Sequence, residues 1–270
     1  MSAQTVPAHR YTISFVVPAF NEERVLGSFV EQLMAEIALA RFADYEVILV
    51  NDGSSDRTGE IMDQASSRHP KVRVLHNATN LRFGNSYKRG LGESRFEYVM
   101  LLCGDGGLPA ASLPAIFDQI GRADIVVPWM TNLRRIKSFP RYLLSRGYTA
   151  ILNTLFGLRL RYYNGLPVHR RDLLQKIAIK SGGFGFQAEI LIKLLRSGCT
   201  FVEVGVEGAE VKQHSVAMRP RNWVSVAATI ARLIVELLSF EPVPAELIAR
   251  RPAGAMREQS HEEEEALRPR

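Results

Sequence analysis

Three short segments place acids beside glycine or proline directly after apolar runs, which makes them the candidates for chemistry. They are residues 18–23 (PAFNEE), 51–56 (NDGSSD) and 102–107 (LCGDGG). In α/β proteins, ligands bind in the crevice at the carboxyl ends of the parallel strands. We therefore expect Asp52 to hold a ribose hydroxyl or a base N–H. We expect Asp105 to offer a hard oxygen ligand to Mg²⁺ or Mn²⁺, the usual partner of a nucleotide diphosphate.

The first segment excludes a dinucleotide-dependent dehydrogenase. Close approach of the backbone to a pyrophosphate requires the glycines of G-x-G-x-x-G directly after the first strand. Residues 18–23 contain no glycine and carry Glu22 and Glu23, which would repel a diphosphate placed there. The segment is better suited to hydrogen bonds with a base or a sugar. After the second strand, Ser55 or Asp56 is expected to cap the following helix.

The composition is typical of a folded α/β protein. The chain has 270 residues, of which 46% are hydrophobic and 23% charged, with a formal net charge of +6. Cys103 and Cys199 have no metal-like spacing, which favours two buried thiols in a reducing cytoplasm. Residues 1–10 lack the apolar core of a signal peptide, so we expect no export. An uninterrupted apolar run of about 20 residues does not occur, so we expect no membrane-spanning helix.

Short β-rich runs alternate with helical patterns in the first half, and this alternation predicts an α/β fold with a mostly parallel sheet. Strands are predicted at residues 11–18, 45–51, 72–76, 97–102, 124–128 and 200–206. Helices are predicted at residues 22–40, 58–68, 141–156, 170–176, 184–196 and 223–240. The predicted organisation is a flexible N-terminus at 1–10, one domain at 11–210, a loop and amphipathic helix at 211–241, and a mobile charged tail at 242–270.

The order VVPAFNEE, ILVNDGSSD, NLRFGNSYKRGL and LLCGDGGLP resembles the family-2 glycosyltransferases, in particular their polyprenyl-phosphate sugar transferase branch. The resemblance extends from about residue 14 to about residue 206. It implies a GT-A, Rossmann-like fold, with a sheet flanked by helices, and transfer of a sugar from a UDP or GDP donor. It also implies that the nucleotide is lined by Pro18, Ala19, Asn21 and Glu22, with Asp52 on the base or ribose.

The same resemblance assigns the catalytic and acceptor residues. Asp105 matches the last acid of the family's D-x-D metal motif, whose first acid is replaced here by Cys103, which implies a weaker requirement for Mg²⁺ or Mn²⁺. Arg141 and Ser145 match an arginine-x-x-x-serine signature, and Glu189 matches an acid on the acceptor side. The catalytic assignments are Asp105, Glu189 and Arg141, and those for the acceptor phosphate are Arg134, Arg135, Arg141 and Ser145. Residues 163–166 (YNGL) resemble the family's D-x-x-G-F stretch without its aspartate.

A basic stretch at residues 125–171 indicates an anionic partner. It contains no Asp or Glu but nine cations: Arg134, Arg135, Lys137, Arg141, Arg146, Arg159, Arg161, Arg170 and Arg171. A solvated surface usually mixes its charges, although a basic surface that serves solubility alone remains an alternative. No recognised nucleic-acid module accompanies the stretch, so we expect no nucleic-acid partner. A lipid phosphate or an anionic headgroup explains the same charge.

The predicted helix at 223–240 has a narrow polar stripe, formed by Ser225, Thr229, Arg232, Glu236 and Ser239, and is apolar elsewhere. Such a helix either packs on two sides, as in a homo-oligomer, or lies in a membrane interface. Both alternatives remain open.

These features together predict an inverting glycosyltransferase at the cytoplasmic face of the membrane, acting on a polyprenyl phosphate. No strong base is then required, because a phosphate monoester is already largely anionic at neutral pH. One alternative is transfer to a saccharide hydroxyl of a cell-envelope glycan, with Glu189 as the base. The other is a degenerate, non-catalytic binding protein, which Cys103 favours.

Overall fold

The structure is a computed structural model that describes residues 10–183, 185–209 and 220–250. Within these residues the strands are β1 (Thr12–Ala19), β2 (Asp44–Asn51), β3 (Val72–His76), β4 (Tyr98–Leu101), β5 (Ile125–Met130), β6 (Val168–Arg170) and β7 (Phe201–Val206). They form one sheet in the order β3-β2-β1-β4-β6-β5-β7. All pairs are parallel except those of β6, which runs antiparallel to both β4 and β5.

Helices accompany the sheet along the described chain. They are α1 (Leu26–Ala40), α2 (Thr58–Arg68), α3 (Phe83–Glu93), α4 (Leu113–Phe117), α5 (Leu133–Ile136), α6 (Phe139–Phe156), α7 (Arg171–Leu174), α8 (Phe186–Arg196), α9 (Pro220–Leu237) and α10 (Ala245–Ala249), with a 3₁₀ turn at Ala110–Ser112. The central strands are continuous apolar runs because both of their faces are covered, as is usual in parallel sheets.

The ends of β1, β2 and β4 meet at one edge of the sheet. The Asp52 amide donates to the Ala19 carbonyl at 3.0 Å, and the Leu102 amide donates to the Val16 carbonyl at 2.9 Å. A Cβ at Gly104 would lie only 2.8 Å from the Cβ of Ala19, so the loop after β4 packs directly on the end of β1. The three segments singled out in the sequence are therefore neighbours in space.

The predicted α/β class with a mostly parallel sheet is confirmed, and each predicted strand has a counterpart. Two predicted helices are shorter than expected. α1 begins at Leu26 because residues 22–25 form a turn, and α7 begins at Arg171 because residues 168–170 form β6. The sequence analysis did not predict β6, α3, α4, α5 or α10.

Residues 242–250 make ordered contacts with the domain, in contrast to the predicted start of a mobile tail at 242. Val243 is 4% exposed, and its amide donates to the Ser197 hydroxyl at 3.0 Å. The buried Arg170 guanidinium donates to the carbonyls of Leu247 and Ile248 at 2.9 and 3.1 Å. The boundary drawn at 242 therefore falls before the last contacts of the fold. The expectations for residues 1–9, for most of the acceptor loop at 211–219 and for the tail at 251–270 lie outside the described residues.

The polar side of α9 packs inward, against α8. Thr229 is 7% exposed. Arg232 lies 3.3 Å from the Glu189 carboxylate, and Glu236 lies 2.8 Å from the Lys193 ammonium. The exposed residues of the described part of the helix are apolar: Ala227, Ala228, Ala231, Ile234 and Val235. Leu238, directly after the helix, is also exposed. The side chain of Ser225 lies outside the described residues.

Candidate functional site

Hydrogen bonds between side chains and backbone tie the loop after β1 to the loop after β2. Asn21 has a positive φ of 56°, and its side-chain oxygen accepts from the Ser55 amide at 2.9 Å. The Glu22 amide donates to the Thr58 hydroxyl at 2.8 Å. Asp56 accepts from the Thr58 amide at 2.9 Å, two residues on. The N-cap position of α2 is Arg57, which has no side-chain cap hydrogen bond, so neither Ser55 nor Asp56 caps the helix as expected. Pro18 and Ala19 are the last residues of β1 and are buried.

Asp52 is buried at the end of β2 and holds the segment before α3. One carboxylate oxygen, Oδ1, accepts from the Asn77 amide group at 2.9 Å and from the Leu81 backbone N–H at 2.8 Å. The Asn77 side chain also donates to the Ser86 hydroxyl at 2.8 Å. Asp52 therefore lies at the expected edge of the sheet, where part of its hydrogen-bonding capacity positions residues 77–81.

Asp105 follows β4 in a glycine-rich turn. Its Oδ1 accepts from the Gly107 amide at 2.9 Å, and Gly106 has a φ of +71° that favours glycine. Burial raises the pKa of the Asp105 carboxyl above its ordinary value. Burial also raises the pKa of the Cys103 thiol, and the charges of Asp105 and Glu22 add to that increase. Glu22, Cys103 and Asp105 therefore share one electrostatic neighbourhood at the ends of β1 and β4.

These residues fit a divalent cation only if the substrate supplies further ligands. Within the described residues, no group of three or more His, Cys, Asp or Glu side chains could hold a metal ion. Asp105 offers one carboxylate. Mg²⁺ commonly binds through one or two carboxylates, with water and substrate phosphate oxygens completing the shell. The arrangement therefore suits a cation that is bound together with a diphosphate.

A cleft of about 280 Å³ opens beside Asp105. Its polar lining residues are Asp105, Lys137, Arg141, Tyr162, Asn164 and Gln187, and its apolar lining includes Phe83, Met130 and Phe186. Asp105 is the one carboxylate among the lining residues in the described chain. The cleft therefore combines one acid with two cations.

The structure brings together some of the predicted acceptor residues and separates others. Arg141, in the first turn of α6, lines the cleft with Asp105. Arg134 and Arg135 are exposed on α5 and are not among the lining residues. The Ser145 hydroxyl accepts from the Lys137 ammonium at 3.4 Å. Only Arg141 of the predicted phosphate residues therefore lines the cleft directly.

Glu189 is a buried anchor and does not line the cleft. It is fully buried, and its two oxygens accept from the backbone amides of Lys180 and Ser181 at 2.8 and 2.7 Å. They also accept from the Lys193 ammonium at 2.8 Å and the Arg232 guanidinium at 3.3 Å. Four donors occupy the acceptor positions of the carboxylate, so Glu189 has no free oxygen for a substrate proton, in contrast to the sequence-based assignment.

Lys137, Tyr162, Asn164 and Gln187 line the cleft but were absent from the sequence-based site. The Asn164 Oδ1 is buried and has no hydrogen-bond partner among the described residues. Backbone constraints flank it: Leu166 has a φ of 58°, and a Cβ at Gly165 would lie 1.7 Å from the Pro128 carbonyl oxygen. Only glycine fits at 165. The glycine in residues 163–166 is therefore the feature of the sequence that could have indicated this part of the cleft.

Part of the basic stretch is neutralised within the protein. Arg170 pairs with Asp124 at 2.8 Å, and Arg161 lies 3.6 Å from Glu203. Across the described chain, no carboxylate forms an ion pair with Arg134, Arg135, Lys137, Arg141, Arg146 or Arg159. The unpaired cations are thus concentrated between α5 and the residues just after α6.

Comparison with known proteins gives the family. The chain matches the model of glycosyl transferase family 2 over residues 14–187. It is 27% identical over 218 residues to the undecaprenyl-phosphate mannosyltransferase of Micrococcus luteus, covering 72% of this chain and 82% of that protein. It is 23% identical over 241 residues to the dolichyl-phosphate beta-glucosyltransferase ALG5D of Trichomonas vaginalis, covering 83% of this chain and 73% of that protein.

Solved structures share the fold. Glucosyl-3-phosphoglycerate synthase from Mycobacterium tuberculosis, in complex with Mg²⁺ and UDP, superposes with a TM-score of 0.65 at 19% identity, over 83% of this chain and 80% of that one. A complex of the same synthase with Mn²⁺, UDP-glucose and phosphoglyceric acid gives a TM-score of 0.65 at 20% identity, with the same coverage. The sheet and its flanking helices therefore form a GT-A fold. The match covers well over half of the sequence, so the chain is a glycosyltransferase that belongs to glycosyl transferase family 2.

Proposed function

We propose that this enzyme transfers a sugar from a UDP or GDP donor to the phosphate of a polyprenyl lipid, with inversion at the anomeric carbon. The observation that carries this proposal is the lining of the cleft, where Arg141 faces the same space as Asp105 and forms no ion pair with any described residue. A phosphate monoester has a second pKa near 6, so its attacking oxygen is already largely anionic at neutral pH. The acceptor then needs a cation and correct alignment, and no general base.

The alternative acceptor, a saccharide hydroxyl, is less well supported. Deprotonation of a hydroxyl calls for a base within hydrogen-bond reach. Glu189, the first candidate, accepts four internal hydrogen bonds. Asp105 is the one remaining carboxylate on the described lining, and its position after β4 also suits the metal ion of the donor. The lining therefore favours an acceptor that arrives already ionised.

The donor would lie along the carboxyl ends of β1, β2 and β4. We assign the nucleotide to the surface formed by Pro18, Ala19, Asn21 and Glu22, with Asp52 towards the base or ribose. A Mg²⁺ or Mn²⁺ ion bound at Asp105 would neutralise charge on the departing diphosphate. Two complexes of the solved synthase contain UDP with Mg²⁺ and UDP-glucose with Mn²⁺, which supports the donor arrangement by analogy. The relatives are named for transfer to undecaprenyl and dolichyl phosphates, which supports the acceptor in the same way.

A lipid acceptor also explains why two helices expose apolar side chains on their outward faces. On α6, the exposed apolar residues Phe139, Leu143, Ile151 and Leu155 recur at helical spacing and are 68%, 60%, 53% and 49% exposed. On α9, Ile234 and Val235 are also exposed, as is Leu238 directly after the helix. Within the described residues no helix is long and apolar enough to cross a membrane. We propose that the exposed apolar residues of α6 and α9 face the lipid, with the enzyme bound peripherally at the cytoplasmic membrane face.

The test is transfer of labelled sugar to a polyprenyl phosphate by the Arg141→Ala variant. We expect a loss of about 10²-fold or more in turnover, as for removal of one cationic or hydrogen-bonding group that stabilises reacting charge. Nucleotide binding, measured as a thermal shift with UDP and GDP, should be retained. Arg159→Ala is the matched control, because Arg159 is exposed and is not a lining residue of the cleft.

Two results would overturn the proposal. One is an unchanged rate in Arg141→Ala. The other is a wild-type enzyme that glycosylates saccharides but not polyprenyl phosphate. The non-catalytic binding protein is not favoured, because the chain belongs to glycosyl transferase family 2 and its relatives are named as transferases.

A further inference from the structure

Lys137 has contacts that distinguish it from the other cations of the basic stretch. It follows α5 and lies two residues before α6, and its side chain lines the cleft. The ammonium group donates to the Tyr162 hydroxyl at 3.1 Å and to the Ser145 hydroxyl at 3.4 Å. It also lies over the Tyr162 ring, 5.3 Å from the ring centroid. Both hydrogen-bond partners are neutral.

The charge of Lys137 is not neutralised within the described protein. Neither Lys137 nor Arg141 forms an ion pair with a carboxylate there, whereas Arg161 and Arg170 do. Two cations and the single carboxylate Asp105 thus face a space of about 280 Å³. A partly desolvated ammonium that lacks a counter-charge is stabilised when an anion binds beside it.

We propose that Lys137 is a phosphate-binding residue of this enzyme, and that Tyr162 and Ser145 hold it in position. The proposal rests on the proposed function for the identity of the phosphate compounds, and on the geometry of the cleft for the site. Lys137 thereby replaces Arg134 and Arg135, which were predicted to bind the acceptor phosphate but do not line the cleft. Ser145 then acts through Lys137 and is a positioning residue.

Tyr162 contributes more than position. It is 8% exposed and lines the same cleft as Asn164. Since its oxygen accepts from the Lys137 ammonium, the phenolic proton is left to donate to a phosphate oxygen. The lysine and the tyrosine together offer a charged and a neutral donor to one phosphate group.

Two phosphate groups could occupy the position: the diphosphate of the donor or the monophosphate of the acceptor. The experiment measures equilibrium binding to the full chain, without turnover. In one arm, the binding of UDP and GDP is compared with the binding of uridine and guanosine, with Mg²⁺ present. In the other arm, the binding of a short-chain polyprenyl phosphate is compared with the binding of the uncharged polyprenol, both in detergent micelles.

We expect Lys137→Ala to weaken binding of one phosphate ligand by about tenfold or more, the loss of one charge-assisted hydrogen bond, and to leave its phosphate-free partner unchanged. The arm that responds identifies the phosphate. Tyr162→Phe, which keeps the ring, should show a smaller loss in the same arm, and Lys137→Arg should restore part of the affinity. Lys176→Ala, an exposed lysine outside the cleft, is the control.

The assignment fails if Lys137→Ala binds the ligands of all three phosphate and phosphate-free pairs as the control does. It also fails if the losses are equal for charged and uncharged ligands, because that pattern indicates altered packing. Absence of transfer to polyprenyl phosphate by the wild-type enzyme would refute the proposed acceptor, whereas the nucleotide arm would still decide the role of Lys137.

Discussion

His169 should make the stability of this protein sensitive to mild acid. The residue lies in β6, between β4 and β5, and is 2% exposed. Neither ring nitrogen has a hydrogen-bond partner among the described residues. Burial lowers the pKa of the imidazole from 6.5 to about 3, because the charged form loses its hydration. The folded protein therefore keeps His169 neutral at pH values at which the unfolded chain protonates it.

The size and sign of the effect follow from these two pKa values. Between pH 6.5 and about pH 3 the unfolded chain holds one more proton at this residue than the folded chain does. Each pH unit in this window therefore lowers the free energy of unfolding by about 1.4 kcal/mol. From about pH 7.5 to about pH 5 the loss is about 2 kcal/mol, a large share of a typical net stability of about 5–15 kcal/mol.

The assay is urea unfolding of the wild type and of His169→Leu at about pH 7.5 and about pH 5. Leucine has a similar volume and no titratable group, so the variant should lack this part of the pH dependence. His76→Gln changes a partly exposed histidine at the end of β3 and should keep the full loss, because it retains His169. If His169→Leu loses as much stability as the wild type between the two pH values, the buried, neutral imidazole is not the cause.

Two further predictions concern the metal ion and the membrane. Asp105→Ala should abolish stimulation of turnover by Mg²⁺ or Mn²⁺ and weaken Mn²⁺ binding in the presence of UDP, which electron paramagnetic resonance measures; a wild type with full activity in chelator would contradict a metal role. The double change Leu143→Ser and Ile151→Ser should weaken flotation with anionic vesicles by about tenfold or more, because full burial of one such side chain contributes about 1.5–3 kcal/mol. Leu39→Ser, at a 68% exposed leucine of α1, is the control. Equal flotation of all three proteins, or a stable dimer that does not float, would remove α6 from the membrane surface.

The sequence predicted the strands that end at candidate site residues because parallel strands are buried on both faces. Their apolar runs are continuous, and the acids that end them stand out. Asp52 and Asp105 were expected at the carboxyl edge and are found there. The sequence could not show that Asp52 holds the Leu81 amide, since that contact joins residues 29 positions apart.

The missed elements have local sequences that contradict their structures. α3 contains Gly84, Gly90 and Gly92, which lower helix propensity. Gly90 is nevertheless required where α3 crosses β1, because a Cβ there would lie 2.4 Å from Val16. β6 has three residues and includes His169 and Arg170, which are not typical of a buried strand. In both cases tertiary packing overrides local preference.

The orientation of α9 is another feature that the sequence alone does not determine. Periodicity located its polar stripe but could not tell which side faces the domain. The buried charges of α8 decide this, because Glu189 and Lys193 need partners and find them in Arg232 and Glu236. The same burial leaves the Glu189 carboxylate without a free oxygen for a substrate, so Glu189 does not suit a catalytic role. A charged residue on α8 was visible in the sequence, whereas its four internal donors were not.

The reversed direction of β6 sets the width of the cleft. Because β6 is antiparallel to both neighbours, the residues that precede it reach the same edge as the residues that follow β4 and β5. A parallel strand in this place would have required a crossover connection and would have brought a loop of its own into that space. Neighbouring strands are about 4.8 Å apart, so the loops after β4 and β5 begin roughly 10 Å from each other. Backbone hydrogen bonds within the sheet thus set the distance between the two loops that flank the cleft. Substitution of the lining side chains can therefore change which groups are bound without changing that distance.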